Sequence, residues 1–540
     1  MKKTRILALA TALLVGASSL TAFSSCGKKK KNSDYDPNKA NLYVATYNGG
    51  VGMDWLIEAA ARFEERYADA TNFENGKTGV KIHVEGDKTT YKGGALETAA
   101  LNKDVYFTEG VEYFKFVNDG KVANISDVVK GSLSAYGESG TIEAKLDPLY
   151  KSFLTAKDNE YYMLPFYDGF YGFSYDVDLF ENKGFYIDAE GDYIKLASFD
   201  SREAYDAAKS NGPDGDHGTY DDGLPATYDE LISLVQYIST QSCIPFCYSG
   251  VDYDYVDKAF RSYIVDYEGY DNFMVNYTLN GTVDVVTGLD DNGNAITEKL
   301  AITDSNYQDL KKQPGRYYAM KMQKELFGTP TYVGGDWNGL SYTGAQKEFI
   351  KSTYDSTPYA ILVEGVWWEN EATTAFADME TLHGESRADR RFAFMPIPKA
   401  DPSKAGGQTM LSANKSYCFI NAETSNMDLA KEFLRFLHTD AEMSKFSART
   451  SIPRSLNYTV TAEDRANASS YGKSIIDMRA GAKVVYPFSS NSVILDNPDL
   501  FDERAWFVDS SVYASTSPFE TFKNHSEVTA YDYFLGMYNA

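Results

Sequence analysis

The chain has 540 residues, 43% of them hydrophobic, and a formal net charge of −25 at pH 7. This length is enough for more than one lobe, each with its own core. The acidic balance argues against a nucleic-acid partner, because binding phosphates requires clustered Lys and Arg. Tyrosine is abundant, at 42 residues. Rigid rings with a polar tip suit a hydrated ligand site, but the abundance can equally be a compositional habit of the source organism.

The N-terminal segment has the pattern of a secretion signal. Basic residues at positions 2, 3 and 5 precede an apolar stretch over 6–20, and Phe23-Ser24-Ser25-Cys26 follows. The stretch is too short for a permanent membrane span, and its closing Cys resembles a bacterial lipobox. We predict a signal peptide over 1–25, lipidation of Cys26 and a linker over 26–40. The protein would then be at the cell surface, anchored to the outer face of the cytoplasmic membrane; the alternative is ordinary cleavage that leaves Cys26 free.

The first part of the mature chain predicts an α/β unit with parallel strands. Strand patterns over 41–47, 80–85 and 104–107 alternate with helical patterns that begin near Asp54 and Gly94.

Ligands of such sheets bind beyond the carboxyl ends of the strands. The loop that holds Asn48 and Gly50 follows the first strand, and Glu109 follows the third. These residues are therefore candidates for contact with a ligand.

A thin connection between two lobes is predicted over 158–184. Residues 161–164 read as a strand that Pro165 ends, because proline has no N–H for a ladder. A polar and aromatic segment over 166–169 follows, and then a second strand over 170–175.

This connection, YYMLPFYDGFYGFSYDVDLFENKG over 161–184, resembles the first interlobe crossover of the bacterial extracellular solute-binding proteins. That family includes maltose-binding protein and other sugar-binding subunits of ABC importers. Further similar landmarks are Pro225-Ala-Thr-Tyr-Asp-Glu230, Gly365-Val-Trp367, Phe394-Met-Pro-Ile-Pro398 and Ser451-Ile-Pro453. The chain departs from the family pattern at Thr450, where the family has Gly.

The resemblance implies an α/β, two-lobed, periplasmic-binding-protein-like fold. Each lobe would be a mainly parallel sheet flanked by helices, with hinges at the crossovers. Residues 41–166 plus 399–449 would form the first lobe, and residues 170–396 plus 454–540 the second. Asn-Gly pairs at 280–281 and 292–293 add a predicted β-ribbon insertion over 275–303.

A carbohydrate offers flat C–H faces and many hydroxyls, so its site needs aromatic platforms with carboxylates or amides beside them. The family places a sugar-stacking Trp where this chain has Trp367. Several of the other aromatic residues could instead be core, since rings at strand ends often are. The candidate ligand-binding residues are Trp367, Trp368, Trp337, Tyr167, Asp168, Glu109, Asn48, Gly50 and Tyr253.

An acidic, glycine-rich loop over 211–224 is a candidate Ca²⁺ site, because Ca²⁺ prefers oxygen ligands. Its carboxylates do not follow EF-hand spacing, and a solvated acidic loop is the alternative. No other cofactor is expected. The candidate metal ligands are Asp214, Asp216, Asp221 and Asp222.

The cysteines after position 26 are predicted to be buried thiols. Cys243 and Cys247 would lie about 13 Å apart on one strand, at about 3.3 Å per residue, which is too far for a disulfide. The third is Cys418.

The catalytic and nucleotide-binding motifs that we compared with the sequence are absent or lack a required residue. The five histidines form no HExxH, no GxSxG elbow occurs, and the P-loop-like endings at 76–78 and 472–474 lack the upstream Gly. We predict a monomeric, non-enzymatic binding protein that captures an oligosaccharide and delivers it to ABC transporter permease subunits. The alternatives are a peptide or other polar solute in the same fold, and a surface glycosidase, since abundant acidic residues leave carboxylate pairs uninformative.

Overall fold

The structure is a computed structural model that describes residues 35–156, 158–303, 305–334, 339–413, 416–486 and 517–539. Within these ranges, no helix combines the length and the apolar character needed to span a bilayer. Cys26, Trp337 and the signal segment lie outside the described residues.

Fifteen strands are present in the described ranges. In chain order they are β1 (Ala40–Tyr47), β2 (Val80–Asp87), β3 (Val105–Glu109), β4 (Leu164–Pro165), β5 (Tyr171–Asp176), β6 (Tyr186–Ile187), β7 (Tyr193–Ile194), β8 (Ile244–Cys247), β9 (Gly281–Leu289), β10 (Ala295–Ile302), β11 (Tyr359–Gly365), β12 (Phe392–Met395), β13 (Thr409–Leu411), β14 (Ser416–Ile420) and β15 (Lys483–Val485).

The α-helices of the described ranges surround these strands. They are α1 (Asp54–Arg66), α2 (Gly93–Thr98), α3 (Tyr113–Asn118), α4 (Ser126–Val129), α5 (Pro148–Leu154), α6 (Val177–Lys183), α7 (Arg202–Ala208), α8 (Tyr228–Thr240), α9 (Asp254–Thr278), α10 (Pro314–Phe327), α11 (Tyr342–Lys351), α12 (Trp368–Glu371), α13 (Thr373–His383), α14 (Met427–Leu437), α15 (Asp440–Thr450), α16 (Ala462–Asn467), α17 (Ser470–Gly481), α18 (Pro518–Asn524) and α19 (Ala530–Asn539).

The first lobe is built on a five-stranded sheet in the order β2-β1-β3-β14-β4. Strand β1 runs parallel to β2 and β3, whereas β14 runs antiparallel to β3 and β4. Val44 of β1 is fully buried and aligns with Val84 on one side and Val105 on the other. Helix α1 covers this sheet with Trp55 and Phe63, both buried. The carboxyl ends of β1, β2 and β3 therefore open on one edge.

The second lobe has a four-stranded sheet in the order β12-β5-β11-β8. Only the β11–β8 pair is parallel, and β5 runs antiparallel to both β11 and β12. The predicted two-lobed α/β fold is thus confirmed, but this second sheet is mixed rather than mainly parallel. The reason is that β5 enters from the crossover and runs opposite to its neighbours.

Three chain segments connect the lobes side by side. The first runs from β4 to β5, the second from β13 to β14, and the third follows α15. The N–H of Ala413 donates to the carbonyl of Gly169 (2.8 Å), and the N–H of Asp168 donates to the carbonyl of Pro453 (2.9 Å). The connections are therefore hydrogen-bonded to one another rather than independent.

The return to the first lobe occurs later in the chain than residue 399, where the sequence analysis placed it. Lys399 forms an ion pair with Asp266 of α9 (2.9 Å) and its backbone bridges to Thr227. The chain rejoins the first sheet only at Ser416. Residues 399–411 accordingly pack on the second lobe.

The predicted β-ribbon is present as the antiparallel β9–β10 hairpin. Its turn contains Asn292-Gly293, and Asp290 accepts backbone N–H groups from Asn292 and Asn294. The other Asn-Gly pair, Asn280-Gly281, does not form a hairpin turn. Helix α9 extends to Thr278, and this pair connects the helix to β9.

The three remaining cysteines are free and buried, as predicted.

Helix α9 is kinked at Gly269, whose φ of 70° and ψ of 167° are not helical. The preceding Glu268 is buried, and its Oε1 accepts the N–H of Gly315 at the start of α10 (2.7 Å). Burial raises the pKa of Glu268 to about 7. This carboxyl therefore binds its proton more tightly in the folded protein than in the unfolded chain.

The Glu268→Gln variant should flatten the pH dependence of stability. A raised folded-state pKa means that stability is complete below the ordinary glutamate range and falls as pH rises towards 7, at about 1.4 kcal/mol per pH unit. We expect the free energy of unfolding of wild type to fall by about 3 kcal/mol between pH 4.5 and pH 7 because this carboxyl group loses its proton. The Glu268→Gln variant should show no such fall. Urea unfolding at several pH values measures the difference, with the exposed Glu298→Gln as control. Parallel pH profiles for wild type and Glu268→Gln would contradict this assignment.

Candidate ligand-binding cleft

The loop after β1 meets the end of β11 across the gap between the lobes. Trp367 follows β11 and is only 6% exposed. Its ring lies directly on Gly50, since a Cβ at Gly50 would sit 2.3 Å from the indole Cγ and Cδ1. Glycine at position 50 is therefore what allows the first-lobe backbone to reach this ring.

Tyrosine rings continue the wall beside Trp367. Tyr171, the first residue of β5, makes an edge contact with Trp367 at 5.0 Å and another with Tyr255 at 5.2 Å. Tyr255 is parallel to Tyr342 at 6.1 Å, and Lys258 lies over the Tyr171 ring. Sequence reasoning did not place Tyr171 or Tyr342 in the site. For Tyr171 the available signal was its position at the start of β5, directly after the first crossover.

Glu109 and Tyr167, both predicted, are brought together. The Tyr167 hydroxyl donates to Glu109 Oε2. Burial raises the pKa of Glu109 above its usual value. Burial also raises the pKa values of Tyr47 and Tyr171, and the Glu109 charge adds to both shifts. Glu109 thus lies at the same aromatic wall.

A polar cavity of about 680 Å³ opens at Gly49 and Val51, on either side of Gly50, and Trp367 and Tyr171 are not among its lining residues. Both lobes contribute: the predicted Asn48, together with Lys88, comes from the first, and Asn370 and Glu371 come from the second. The Asn370 amide donates to the carbonyl of Thr450, which closes one end of the cavity. The full lining is Asn48, Gly49, Val51, Gly52, Met53, Asp54, Trp55, Lys88, Thr343, Asn370, Glu371, Thr373, Arg387, Arg449 and Thr450.

Glu371 of the cavity lining is linked through an amide to a second carboxyl group that is buried behind it. Gln346 Nε2 donates to Glu364 Oε2 and to Glu371 Oε2, each at 3.2 Å. Burial raises the pKa of Glu364 well above its usual range, and the Glu371 charge adds to this. Burial therefore makes Glu364 hold a proton more readily, and Glu371 is the member of the pair that lines the cavity.

Two predicted ligand residues pack on aromatic side chains of the second lobe and are not among the residues that line the cavity. Trp368 is fully buried, and its ring packs edge-on against Phe392 at 5.1 Å. Tyr253 stacks on Phe519 of α18 at 5.9 Å. Trp368 has no exposed surface for a ligand to contact, whereas the ring of its neighbour Trp367 packs on Gly50 of the opposite lobe. The predicted contribution of Trp337 lies outside the described residues.

Asp168 is a hinge residue rather than a ligand anchor. It has no exposed surface, and Arg479 Nε of α17 donates to its Oδ2 at 2.8 Å. Burial raises the pKa of Asp168, and the Arg479 charge opposes that shift. The carboxylate therefore binds Arg479 and holds the first crossover against α17.

Three of the four carboxylates of the predicted Ca²⁺ loop, those of Asp214, Asp221 and Asp222, accept hydrogen bonds from the loop's own backbone. Asp214 Oδ1 accepts the N–H of Asp216, and Asp221 Oδ2 accepts the N–H of Asp214. Asp222 accepts the N–H of Gly218 (2.8 Å). Burial raises the pKa of Asp221 to about 7. In the described part of the chain, no group of three or more His, Cys, Asp or Glu side chains is arranged to hold a metal ion.

The fold is that of the two-lobed extracellular solute-binding proteins, with the cavity in the interlobe position. The solved structures that it resembles include the apo form of RafE from Streptococcus pneumoniae, at 14% identity and a TM-score of 0.53, covering 94% of this chain and 98% of that one. A probable secreted solute-binding lipoprotein from Streptomyces coelicolor matches at 13% identity and a TM-score of 0.52, over 93% and 99% of the two chains.

The GacH receptor of Streptomyces glaucescens, described without ligand and in complex with acarbose, is also similar. It matches at 11% identity and a TM-score of 0.50, over 93% of this chain and 97% of that one. No family model matches the sequence, and no curated protein sequence matches it. At these identities, the likeness establishes the fold.

Asp168→Asn should destabilise the chain by about 3 kcal/mol, because it leaves Arg479 without its buried counter-charge. Asp477→Asn is the matched control. Asp477 is on the same helix as Arg479, and its substitution breaks a partly exposed ion pair with Arg465 of α16, which should cost less than about 1 kcal/mol. Urea unfolding measures both, and equal small losses would contradict the structural role of the Asp168–Arg479 pair.

Gly50→Ala should prevent full closure of the lobes. The added Cβ would overlap the Trp367 ring, and a fused indole cannot yield without leaving the cleft wall. We expect a larger radius of gyration by small-angle X-ray scattering and little change in unfolding free energy. Gly94→Ala is the control, because nothing lies within 4 Å of its added Cβ. Identical scattering for both variants would show that the Gly50–Trp367 contact does not limit closure.

Proposed function

We propose that this protein is an extracellular solute-binding protein that captures a carbohydrate, an oligosaccharide, in the interlobe cleft. The observation that carries the proposal is the juxtaposition of an aromatic wall with a polar cavity formed by both lobes. Trp367 and Tyr171 belong to the wall, and Asn48, Asn370 and Glu371 to the cavity.

This combination matches the chemistry of a sugar. Aromatic faces pack on C–H faces, and amide and carboxylate groups pair with hydroxyls. The cavity volume of about 680 Å³ is within the range of small-molecule sites. A cleft shared by two lobes also gives the ligand a way to favour the closed form, since it contacts both at once.

Delivery to an ABC permease and attachment through Cys26 are parts of the same proposal. They are supported by the lipobox-like segment and by the similarity to a probable secreted solute-binding lipoprotein. We place the protein at the cell surface as a monomer.

Binding without turnover is the role that the comparisons favour. The similar structures are solute-binding proteins or receptors, and GacH is described in complex with acarbose. We therefore propose no catalytic residues.

The test is a titration of the mature protein, residues 33–540, with a panel of oligosaccharides, read by tryptophan fluorescence and thermal shift. One sugar should bind saturably and remain chemically intact. At 100 times its Kd it should add about 2.7 kcal/mol of stability. Trp367→Ala should weaken that binding by at least about tenfold, because the aromatic platform is lost.

Tyr253→Ala is the matched aromatic control, since Tyr253 packs on α18 and should leave the affinity unchanged. Cleaved sugar in the supernatant would identify a glycosidase instead. A response to peptides alone would keep the fold and overturn the carbohydrate assignment.

A further inference from the structure

A salt bridge crosses the cleft between residues that sequence analysis did not single out. Lys88 follows β2 of the first lobe, and its Nζ lies 3.2 Å from Glu371 Oε1 of the second lobe. The same Nζ donates to the Tyr342 hydroxyl at 2.9 Å. Both charged residues line the polar cavity. The pair therefore joins the lobes where a ligand would have to lie.

Glu371 and Lys88 differ in how firmly their side chains are held. The Glu371 side chain is 9% exposed, and Gln346 fixes its Oε2, which leaves Oε1 directed at the cavity. The Lys88 side chain is 46% exposed and sits on a loop after a strand. A fixed carboxylate is suited to recognition, whereas a flexible, solvated ammonium is easily displaced.

The other cations of the cavity already have carboxylate partners outside this pair. Arg387 bonds to Glu369 at 2.7 Å. Arg449 bonds to Asp54 at 2.8 Å and to Glu58. Glu371 is thus the carboxylate whose cavity-facing oxygen is held only by a group from the opposite lobe.

We propose that Glu371 is a ligand-binding residue that accepts a hydroxyl of the bound solute at Oε1, and that Lys88 is its counter-ion in the empty cleft. Binding then exchanges an interlobe ion pair for a charge-assisted hydrogen bond from the ligand. This inference rests on the proposed function. It adds that Lys88 competes with the ligand for Glu371 Oε1. Because an exposed ammonium pairs weakly in water, the exchange costs little.

The test uses the oligosaccharide that binds best in the panel, with calorimetric titration of wild type, Glu371→Gln and Lys88→Met. Glu371→Gln should bind about tenfold more weakly, because a hydroxyl bonds more strongly to a charged acceptor than to a neutral one. Lys88→Met should bind about threefold more tightly, because the competitor is gone. Wild-type affinity should rise slightly between about 20 and about 300 mM salt as the ion pair is screened, and Lys88→Met should show no such rise.

Matched controls are available within the second lobe. Lys347→Met breaks the Lys347–Asp378 pair (2.7 Å), which does not cross the cleft. Glu380→Gln changes an exposed carboxylate of α13. Neither should alter affinity or its salt dependence.

The outcomes separate the two proposals. If no sugar binds wild type, the proposed function has failed, and the role of Glu371 fails with it. If a sugar binds wild type and Glu371→Gln equally, only the present inference is overturned. Weaker binding in Lys88→Met would also overturn it, since Lys88 would then be a ligand contact rather than a counter-ion.

Discussion

The bundle of three crossing segments is the constraint on which the rest of the molecule depends. Asp168 ties the first crossover to the third through its backbone and to α17 through its carboxylate. Such a buried ion pair contributes little net stability, but it tolerates no loss of either partner. Within the described residues, the lobes are joined covalently here and meet again at the cleft, where Trp367 packs on Gly50 and Lys88 pairs with Glu371. The sheets can be rigid while the cleft opens, because the adjustable backbone is confined to the crossing segments.

Local sequence patterns predicted an element well where the residues of that element alone determine its structure. The strand after position 40 and the buried thiols follow from alternation and spacing. The strand predicted over 161–164 was wrong, because β4 is only Leu164–Pro165 and Pro165 itself pairs with Tyr417 of β14. Strand direction in the second sheet did not follow, because it depends on how β5 enters from the crossover. The boundary near Lys399 was also misplaced, since nothing local reveals that this lysine pairs with Asp266, 133 positions earlier.

The site was predictable only in part for a similar reason. Trp367, Gly50, Asn48, Glu109 and Tyr167 sit at strand ends or in a crossover, where topology alone directs attention. The distinction between adjacent Trp367 and Trp368 requires knowing which ring faces the core. Lys88 and Glu371 are 283 positions apart, and charged residues are too numerous in this chain for such a pair to stand out. Only the folded arrangement makes them neighbours.

The composition of the first sheet has a consequence for how the protein is made. Two of its five strands, β4 and β14, come from after residue 160, and β14 from after residue 415. The lobe that begins the mature chain therefore cannot complete its core until most of the polypeptide has been synthesised. Loop-closure entropy over such separations slows folding. The same discontinuity that joins the lobes thus delays completion of the first sheet until the residues of β14, Ser416–Ile420, have been synthesised.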